Sequence, residues 1–388
     1  VFLGANGASE LNSEIDDCLG KGCMPRPPMA SLAHIRLLFF CRSTATLALR
    51  QQSGVFFTSD VANLAGVTLS EVDTAGKLVW RAWNPHSRPL PRPVGSRSRC
   101  VWMRPLFGGE MCLLEDDRIS RHVRNKGQWI GCDHYVEMWH TQRIKRNTDI
   151  GKLGRDKQDV IVEVGANIGA CTLQLLLQTN ATVFAFEPSP LNLFHLTESL
   201  HRTGLSNPLL ASRVVVFPIA VGDRNCSDRI FVAKGNVGNS VVNERVRDHA
   251  SQDMSLSYPI QVRKLDSVLS AQSFTRSCSI SMLKVDVQGF ECRALSGMTS
   301  IVLAGAVSTM TIELANGWLS AQGCSAQHAL KQMRSLGFQL DPRWEAVPYC
   351  VRTYFGCDVT VRWDFHSSPS HCLWKRGSGG HPGAVAVC

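Results

Sequence analysis

The feature that most constrains this chain is the run Val160-Ile161-Val162-Glu163-Val164-Gly165-Ala166-Asn167-Ile168-Gly169, followed by Val183-Phe184-Ala185-Phe186-Glu187-Pro188. The β-branched residues around Glu163, closed by a glycine turn, suit a strand covered on both faces, as in the centre of a parallel sheet. Gly165 and Gly169 lack Cβ atoms, so the backbone turns sharply there and lets a ligand approach the amides that open the next helix. Cys171-Thr172-Leu173-Gln174-Leu175-Leu176-Leu177 reads as that helix. Glu187 falls at the carboxyl end of a second strand, where a carboxylate accepts hydrogen bonds from both hydroxyls of a ribose. Strand, glycine turn, helix, strand and acid, in that order, build a nucleotide pocket in an α/β sheet.

Further along, Ile280-Ser281-Met282-Leu283-Lys284-Val285-Asp286-Val287-Gln288-Gly289-Phe290-Glu291 is another apolar strand that ends in polar residues. The period of two puts Lys284 and Asp286 on one face and Leu283, Val285 and Val287 on the other. Open α/β sheets hold their ligands at the carboxyl ends of the strands, so this pair lies on the side marked by Gly165 and Glu187. A third run, Val307 to Leu314, finishes beside Glu313.

The order Val-Glu-Val-Gly-Ala-Asn-Ile-Gly, Phe-Glu-Pro-Ser-Pro, Ile-Ala-Val-Gly-Asp, Leu-Asp-Ser-Val-Leu, Leu-Lys-Val-Asp-Val-Gln-Gly-Phe-Glu and Thr-Ile-Glu-Leu resembles the FkbM family of S-adenosylmethionine-dependent methyltransferases, from about Asp159 to about Leu340. The resemblance implies a class I methyltransferase, Rossmann-like α/β fold: a seven-stranded, mostly parallel sheet with helices on both faces and the last strand reversed, here with an N-terminal extension. It implies that Gly165, Ala166, Asn167 and Gly169 shape the cofactor turn, that Glu187 holds the ribose, and that Ala220 and Asp223 lie near the adenine. Asp286 and Glu291 would lie by the methionine end or the acceptor. Two positions depart from the family pattern: the strand-one acid, more often Asp, is Glu163, and Gln288 stands where the family usually has Glu.

Methyl transfer from a sulfonium needs alignment and exclusion of water more than a nucleophilic side chain. An acceptor hydroxyl still benefits from a base, for which Asp286 with Lys284 as its orienting partner is preferred over Glu291, Glu313 or a histidine. The alternative is an internal network of Lys284 with Asp286 or Gln288 that supports the pocket without moving a proton. The implied activity is O-methylation of a small-molecule, sugar or lipid hydroxyl. Two other functions stay open: a cofactor-binding scaffold without turnover, suggested by Glu163 and Gln288, and an NAD(P)-dependent oxidoreductase, suggested by the spacing of Glu187 after the glycines.

Composition narrows the rest. With 388 residues, 44% hydrophobic and 19% charged, the chain is a folded protein rather than a disordered one. The net charge of +9 comes from scattered basic residues without a nucleic-acid-binding motif, so a nucleic-acid partner is not expected. No apolar run reaches the length of a bilayer span. The 15 cysteines, some in core elements such as Cys171 and Cys292, read as reduced, buried thiols of an intracellular, cytoplasmic protein. Organelle targeting is the alternative, because Cys18 to Ser59 lacks acids and carries spaced arginines. Cys350, Cys357, His366, His371 and Cys372 fit no standard metal spacing, and no metal is expected.

The organisation follows. Residues 1–105 form an extension of unreadable fold, with a possible helix from Ser31 to Leu49 and a Pro- and Arg-rich linker or exposed arm over 84–104. Residues 106–157 form a helical lead-in in which Trp129, Ile130, Tyr135, Met138 and Trp139 cover one side of the sheet or a substrate entry, core packing being the preferred role of the tryptophans. The methyltransferase-like domain occupies 158–376, with Cys372-Leu373-Trp374 as a candidate final strand, and 377–388 is a tail. Between strands three and four, segments 229–233 and 258–263 flank Gly235 to Ser240, which reads as a substrate lid or a plain hairpin.

Overall fold

Apolar runs separated by glycine turns become neighbouring strands of one sheet in the computed structural model, which describes residues 66–149, 158–243, 253–340 and 360–365. All of these lie within the second of the chain's two units, Phe57–Cys388. The sheet contains β1 (Gln158–Val164), β2 (Thr182–Phe186), β3 (Val214–Phe217), β4 (Cys278–Val285) and β5 (Thr309–Glu313), all parallel. Two further strands, β6 (Phe338–Leu340) and β7 (Thr360–Phe365), continue it beyond β5, in the order β6-β7-β5-β4-β1-β2-β3. The strand β7 runs antiparallel to both of its neighbours. The sequence of strands reverses direction across the sheet between β1 and β4, and that switch point is where an open sheet leaves a crevice.

Alternation along each strand divides the core in two. Val160, Val162 and Val164 join Phe184, Phe186, Phe217, Leu283 and Val285 on one face, where Phe274, Leu295, Ile301 and Met333 from helices cover them. Ile161, Val183, Ala185, Val216 and Met282 face the other way. That second face is covered by α1 (Arg118–Lys126), α2 (Cys132–Asp149), α3 (Ala170–Gln178) and α4 (Pro190–Ser206), through residues such as Val123, Trp139, Leu173 and Leu196. The apolar second face is interrupted at one level. Glu163, Lys284 and Thr311 are in register on β1, β4 and β5, so a buried polar row crosses the centre of the sheet beneath the helices.

A four-stranded sheet holds the excursion after β3, in the order Val241–Val242, Cys226–Val232, Leu256–Arg263, Ala220–Val221. The described part of the N-terminal extension belongs to the same unit. Trp83 exchanges backbone hydrogen bonds with Val216 at 2.7 and 2.8 Å, which extends the edge of β3. Glu71, on the hairpin Ser70–Val72/Leu78–Arg81, accepts from Arg263 Nε at 2.5 Å and Nη2 at 2.8 Å. The Pro- and Arg-rich stretch expected as a linker or arm is instead fastened along α4. Leu90 N donates to Thr197 Oγ1 at 3.0 Å, and Ser98 Oγ lies 2.7 Å from His195 Nε2.

The cysteine expectation is corrected. Among the described residues three disulfides are present, Cys100–Cys112, Cys132–Cys171 and Cys292–Cys324, with Cα separations of 4.6, 5.0 and 6.5 Å. Cys171 and Cys292, read from sequence as reduced core thiols, are both bonded. Their partners lie 39 and 32 residues away, distances that no local spacing pattern reveals. The lead-in also differs from a purely helical segment. It contains the strand Met111–Leu113, paired with Val101–Met103 just upstream, and Ile130, expected to cover the sheet or a substrate entry, is 67% exposed.

No described helix is long and apolar enough to cross a membrane. The possible helix near Ser31, the arginine-spaced segment, the Cys/His group from Cys350 to Cys372, the strand expected at 372–374 and the tail lie outside the described residues.

Candidate functional site

The glycine turn after β1 is pinned to the end of β2. The amides of Gly165 and Ala166 both donate to Phe186 O, at 2.9 and 3.0 Å. Asn167 then adopts a left-handed φ of 54°, uncommon for a residue with a side chain and most frequent where function demands it. Its amide donates to Glu187 Oε2 at 2.8 Å, and its side-chain oxygen accepts from Ile168 N at 2.8 Å. Glu187 Oε1 accepts from Ser189 N at 2.8 Å and from Asn192 Nδ2 at 3.3 Å. The turn and the acid that the sequence sets twenty residues apart therefore share a hydrogen bond. Burial pushes the Glu187 carboxyl up to about 7 despite these donors.

Gly169 is the N-cap of α3, so that helix begins without a side-chain cap and directs its first amides toward the turn. Room for a side chain is lacking there, since a Cβ on Gly169 would lie 2.3 Å from Leu196 Cδ1.

Next to the turn, the polar row forms one electrostatic unit. Lys284 Nζ lies 3.5 Å from Glu163 Oε1 and 3.3 Å from Asp286 Oδ2, and donates to Gly165 O at 3.2 Å. Burial opposes the lysine's charge, but Asp286 and Glu163 outweigh it and hold Lys284 above its usual value. Burial also raises Glu163, although Lys284 and a 2.6 Å hydrogen bond from Thr172 Oγ1 work against that rise. For Asp286 the balance is reversed. Burial would raise it, but Lys284 and neighbouring hydrogen bonds hold the carboxyl below its ordinary value. The side chain of Glu163 is 1% exposed and that of Asp286 is 36% exposed, so only Asp286 is within a ligand's reach.

Gln288, with φ 51°, donates through Nε2 to Asp286 Oδ1 at 3.0 Å and to Glu313 Oε2 at 2.5 Å. Tyr135 of α2 covers the row, its ring centroid 5.9 Å from Lys284 Nζ. Burial pushes the Tyr135 hydroxyl up to about 12. The Cys132–Cys171 bridge joins the start of α2 to the first turn of α3, which brings Tyr135 over the strand ends.

The site residues expected from sequence thus divide. Glu163, Gly165, Ala166, Asn167, Gly169, Glu187, Lys284 and Asp286 come together at the ends of β1, β2 and β4. Glu291 is buried, 1% exposed, and its Oε1 accepts from Val287 N at 3.1 Å and Gly289 N at 3.2 Å. It organises the turn after β4, and burial lifts its carboxyl to about 8. Ala220 is buried in a strand of the four-stranded sheet, and Asp223 lies 3.8 Å from Arg293 Nη1 and 4.0 Å from Arg224 Nε. Tyr135 is among the residues expected to cover the sheet or a substrate entry, whereas Gln288 as a donor to both carboxylates was not foreseen.

The segment read as a lid or hairpin is fastened at its base. Asp117 caps α1 by accepting from Ser120 N at 2.8 Å and also accepts from Val237 N at 2.9 Å. A Cβ on Gly238 would stand 3.1 Å from Asn167 Nδ2, so this loop borders the glycine turn. A separate cleft of about 320 Å³ opens between Trp139, Arg143 and Asn180 at the far end of α3 and contains none of these residues.

A mostly parallel sheet whose central strand ends in an uncapped glycine turn, beside an acid on the adjoining strand, defines an α/β protein. Residues 163–340 match the methyltransferase FkbM domain. A hexuronic acid methyltransferase, AglP, from Haloferax volcanii is 26% identical over 167 residues, covering 42% of this chain. The match spans 61% of that relative's length. Among solved structures, a methyltransferase FkbM from Methylobacillus flagellatus KT is similar at 17% identity, 55% coverage of this chain, 44% of that chain and a TM-score of 0.34. A TehB-like SAM-dependent methyltransferase from Corynebacterium glutamicum ATCC 13032 matches at 11% identity, 61% and 98% coverage and a TM-score of 0.27.

Proposed function

We propose that this domain transfers a methyl group from S-adenosylmethionine to a hydroxyl of a small-molecule, sugar or lipid acceptor, and that its sheet is the class I methyltransferase arrangement. The observation that carries this reading is the junction of Asn167 N with Glu187 Oε2 at 2.8 Å beside the uncapped start of α3. The residues fit the cofactor. The carboxylate of Glu187 retains lone pairs for ribose hydroxyls, and the free amides of the α3 N-terminus favour a carboxylate such as that of the methionine end. When bound, the cofactor supplies a methyl group already activated by its sulfonium.

The chain's own residues then have three tasks. The Gly165–Gly169 turn and Glu187 hold the nucleoside. Tyr135 and the loop around Gly238 border the crevice and keep water from it. Asp286 accepts a hydrogen bond from the acceptor hydroxyl and takes its proton as the new O–C bond forms. Because Lys284 keeps Asp286 in its ionised form, the carboxylate orients the hydroxyl first and acts as a weak base second.

The hexuronic acid methyltransferase relative supports a sugar-class acceptor. Three disulfides support folding in an oxidising compartment, in place of the cytoplasmic setting expected from sequence. The methyltransferase domain match favours this reading over a nicotinamide enzyme. The test is mass spectrometry of glycan and metabolite extracts incubated with the oxidised protein and methyl-labelled cofactor. A labelled product identifies the acceptor; cofactor binding without any transfer supports the scaffold alternative.

A further inference from the structure

Gln288 stands where the family resemblance leads one to expect Glu, and its surroundings supply the reason. Three acids and one ammonium form a linked cluster there, in which Gln288 touches Asp286, just after β4, and Glu313 on β5, while Lys284 on β4 joins Asp286 to Glu163 on β1. The phenol of Tyr135 faces the same cluster from α2, and Glu291 lies on the far side of the turn with its Oε1 committed to backbone amides. Lys284 contacts Glu163 and Asp286. The primary amide of Gln288 has two hydrogens on one nitrogen, and the structure directs that nitrogen at Asp286 Oδ1 (3.0 Å) and Glu313 Oε2 (2.5 Å). Its left-handed backbone, φ 51°, places the amide between them.

We propose that Gln288 is a positioning residue that clamps Asp286 and Glu313 side by side at the acceptor edge of the crevice and helps keep Asp286 in its ionised form. A carboxyl at this position would be a third acid wedged between Asp286 and Glu313, and acids this close cannot all ionise. The carboxyl introduced by Gln288→Glu would therefore hold a proton and, while protonated, donate one hydrogen bond in place of two. The clamp makes Asp286 available as an acceptor across neutral pH without a bound proton. This role deepens the methyl-transfer reading and rests on it for the identity of the ligand, but the clamp itself is a property of the protein alone.

The substitution Gln288→Glu should thus act as a pH-conditional defect. Thermal melting of the unliganded, oxidised protein should show the variant close to wild type near about pH 5.5 and about 5 °C or more below it near about pH 8. Gln288→Met, of similar length with no donor or charge, should lie below wild type by an offset that changes little with pH. S-adenosylhomocysteine titrations should follow the melts, with affinity in Gln288→Glu falling several-fold between the two pH values and wild type changing less. A Gln288→Glu curve parallel to wild type at every pH, or a Gln288→Met offset with the same pH dependence as Gln288→Glu, overturns the clamp. If the melts behave as stated but wild type binds no S-adenosylhomocysteine, the clamp stands and the methyl-transfer reading falls.

Discussion

Gly165 and Asp286 meet backbone to backbone at the crest of the sheet: a Cβ on Gly165 would lie 1.8 Å from the Asp286 carbonyl oxygen. Asp286 N also donates to Val164 O at 3.0 Å, so the turns after β1 and β4 are built as one piece. The glycine turn and the segment that carries Asp286 are therefore held against each other by their backbones.

Gly165→Ala tests that junction. The added methyl demands both a left-handed conformation, φ 92°, and a backbone displacement. We expect a loss of about 2–4 kcal/mol in urea unfolding together with loss of S-adenosylhomocysteine binding. Wild-type values for both would show that the two turns are not packed as described.

Glu187 has a pH signature. Its carboxyl rises from 4.5 to about 7 on folding, so the neutral form is preferred in the native protein. Its contribution to stability is fully present below about 4.5 and is lost as pH rises through about 7. Ribose hydroxyls donate to the ionised form, so cofactor binding should release a proton below about pH 7 and tighten as pH rises toward that value. Calorimetry in two buffers of different ionisation enthalpy reads the proton, and Glu187→Gln should abolish its release.

Glu291 separates a structural acid from a catalytic one. Gln resembles its protonated form, and its carboxyl lies at about 8, above the unfolded 4.5, so wild type loses stability relative to Glu291→Gln as pH rises between those values. Methyl transfer by Glu291→Gln should stay within about threefold of wild type, whereas Glu291→Ala, which leaves Val287 N and Gly289 N without their acceptor, should cost about 1–3 kcal/mol of stability. A loss of activity in Glu291→Gln at wild-type stability would return this residue to the catalytic set.

The Cys132–Cys171 bridge carries a redox prediction. It fastens α2, and with it Tyr135, to the first turn of α3. Cys132→Ser/Cys171→Ser should lower unfolding stability by about 2–4 kcal/mol and weaken S-adenosylhomocysteine binding. Non-reducing peptide mapping that finds both thiols free in native protein would remove the basis for this.

How much of this was legible in sequence depends on whether the signal was local. β1, β2, β4 and β5 were readable because strands covered on both faces need unbroken apolar runs, and Gly165 and Gly169 mark turns whose φ values are 92° and 85°. Glu187 followed from its place after β2. Tyr135 was readable only as one of several residues able to cover the sheet or a substrate entry, since its exact position depends on how α2 docks and on a disulfide to a cysteine 39 residues beyond Cys132. Glu291 misled for the opposite reason: it follows the polar turn closely in sequence, but the turn itself folds over it and takes its oxygen. Gln288 was read as a missing base, whereas its nitrogen is a donor to both neighbouring acids. Trp83, within a stretch that carried no periodic pattern, pairs with β3 through backbone contacts that leave no mark on side-chain periodicity.

The most direct test of the central claim is a crystal structure of the oxidised protein with S-adenosylhomocysteine. The account predicts the ribose hydroxyls on the Glu187 carboxylate, the methionine carboxylate at the α3 N-terminus, and the sulfur facing Asp286. A ligand bound elsewhere, or a turn at Gly165–Gly169 closed against the nucleoside at saturating concentration, would contradict it.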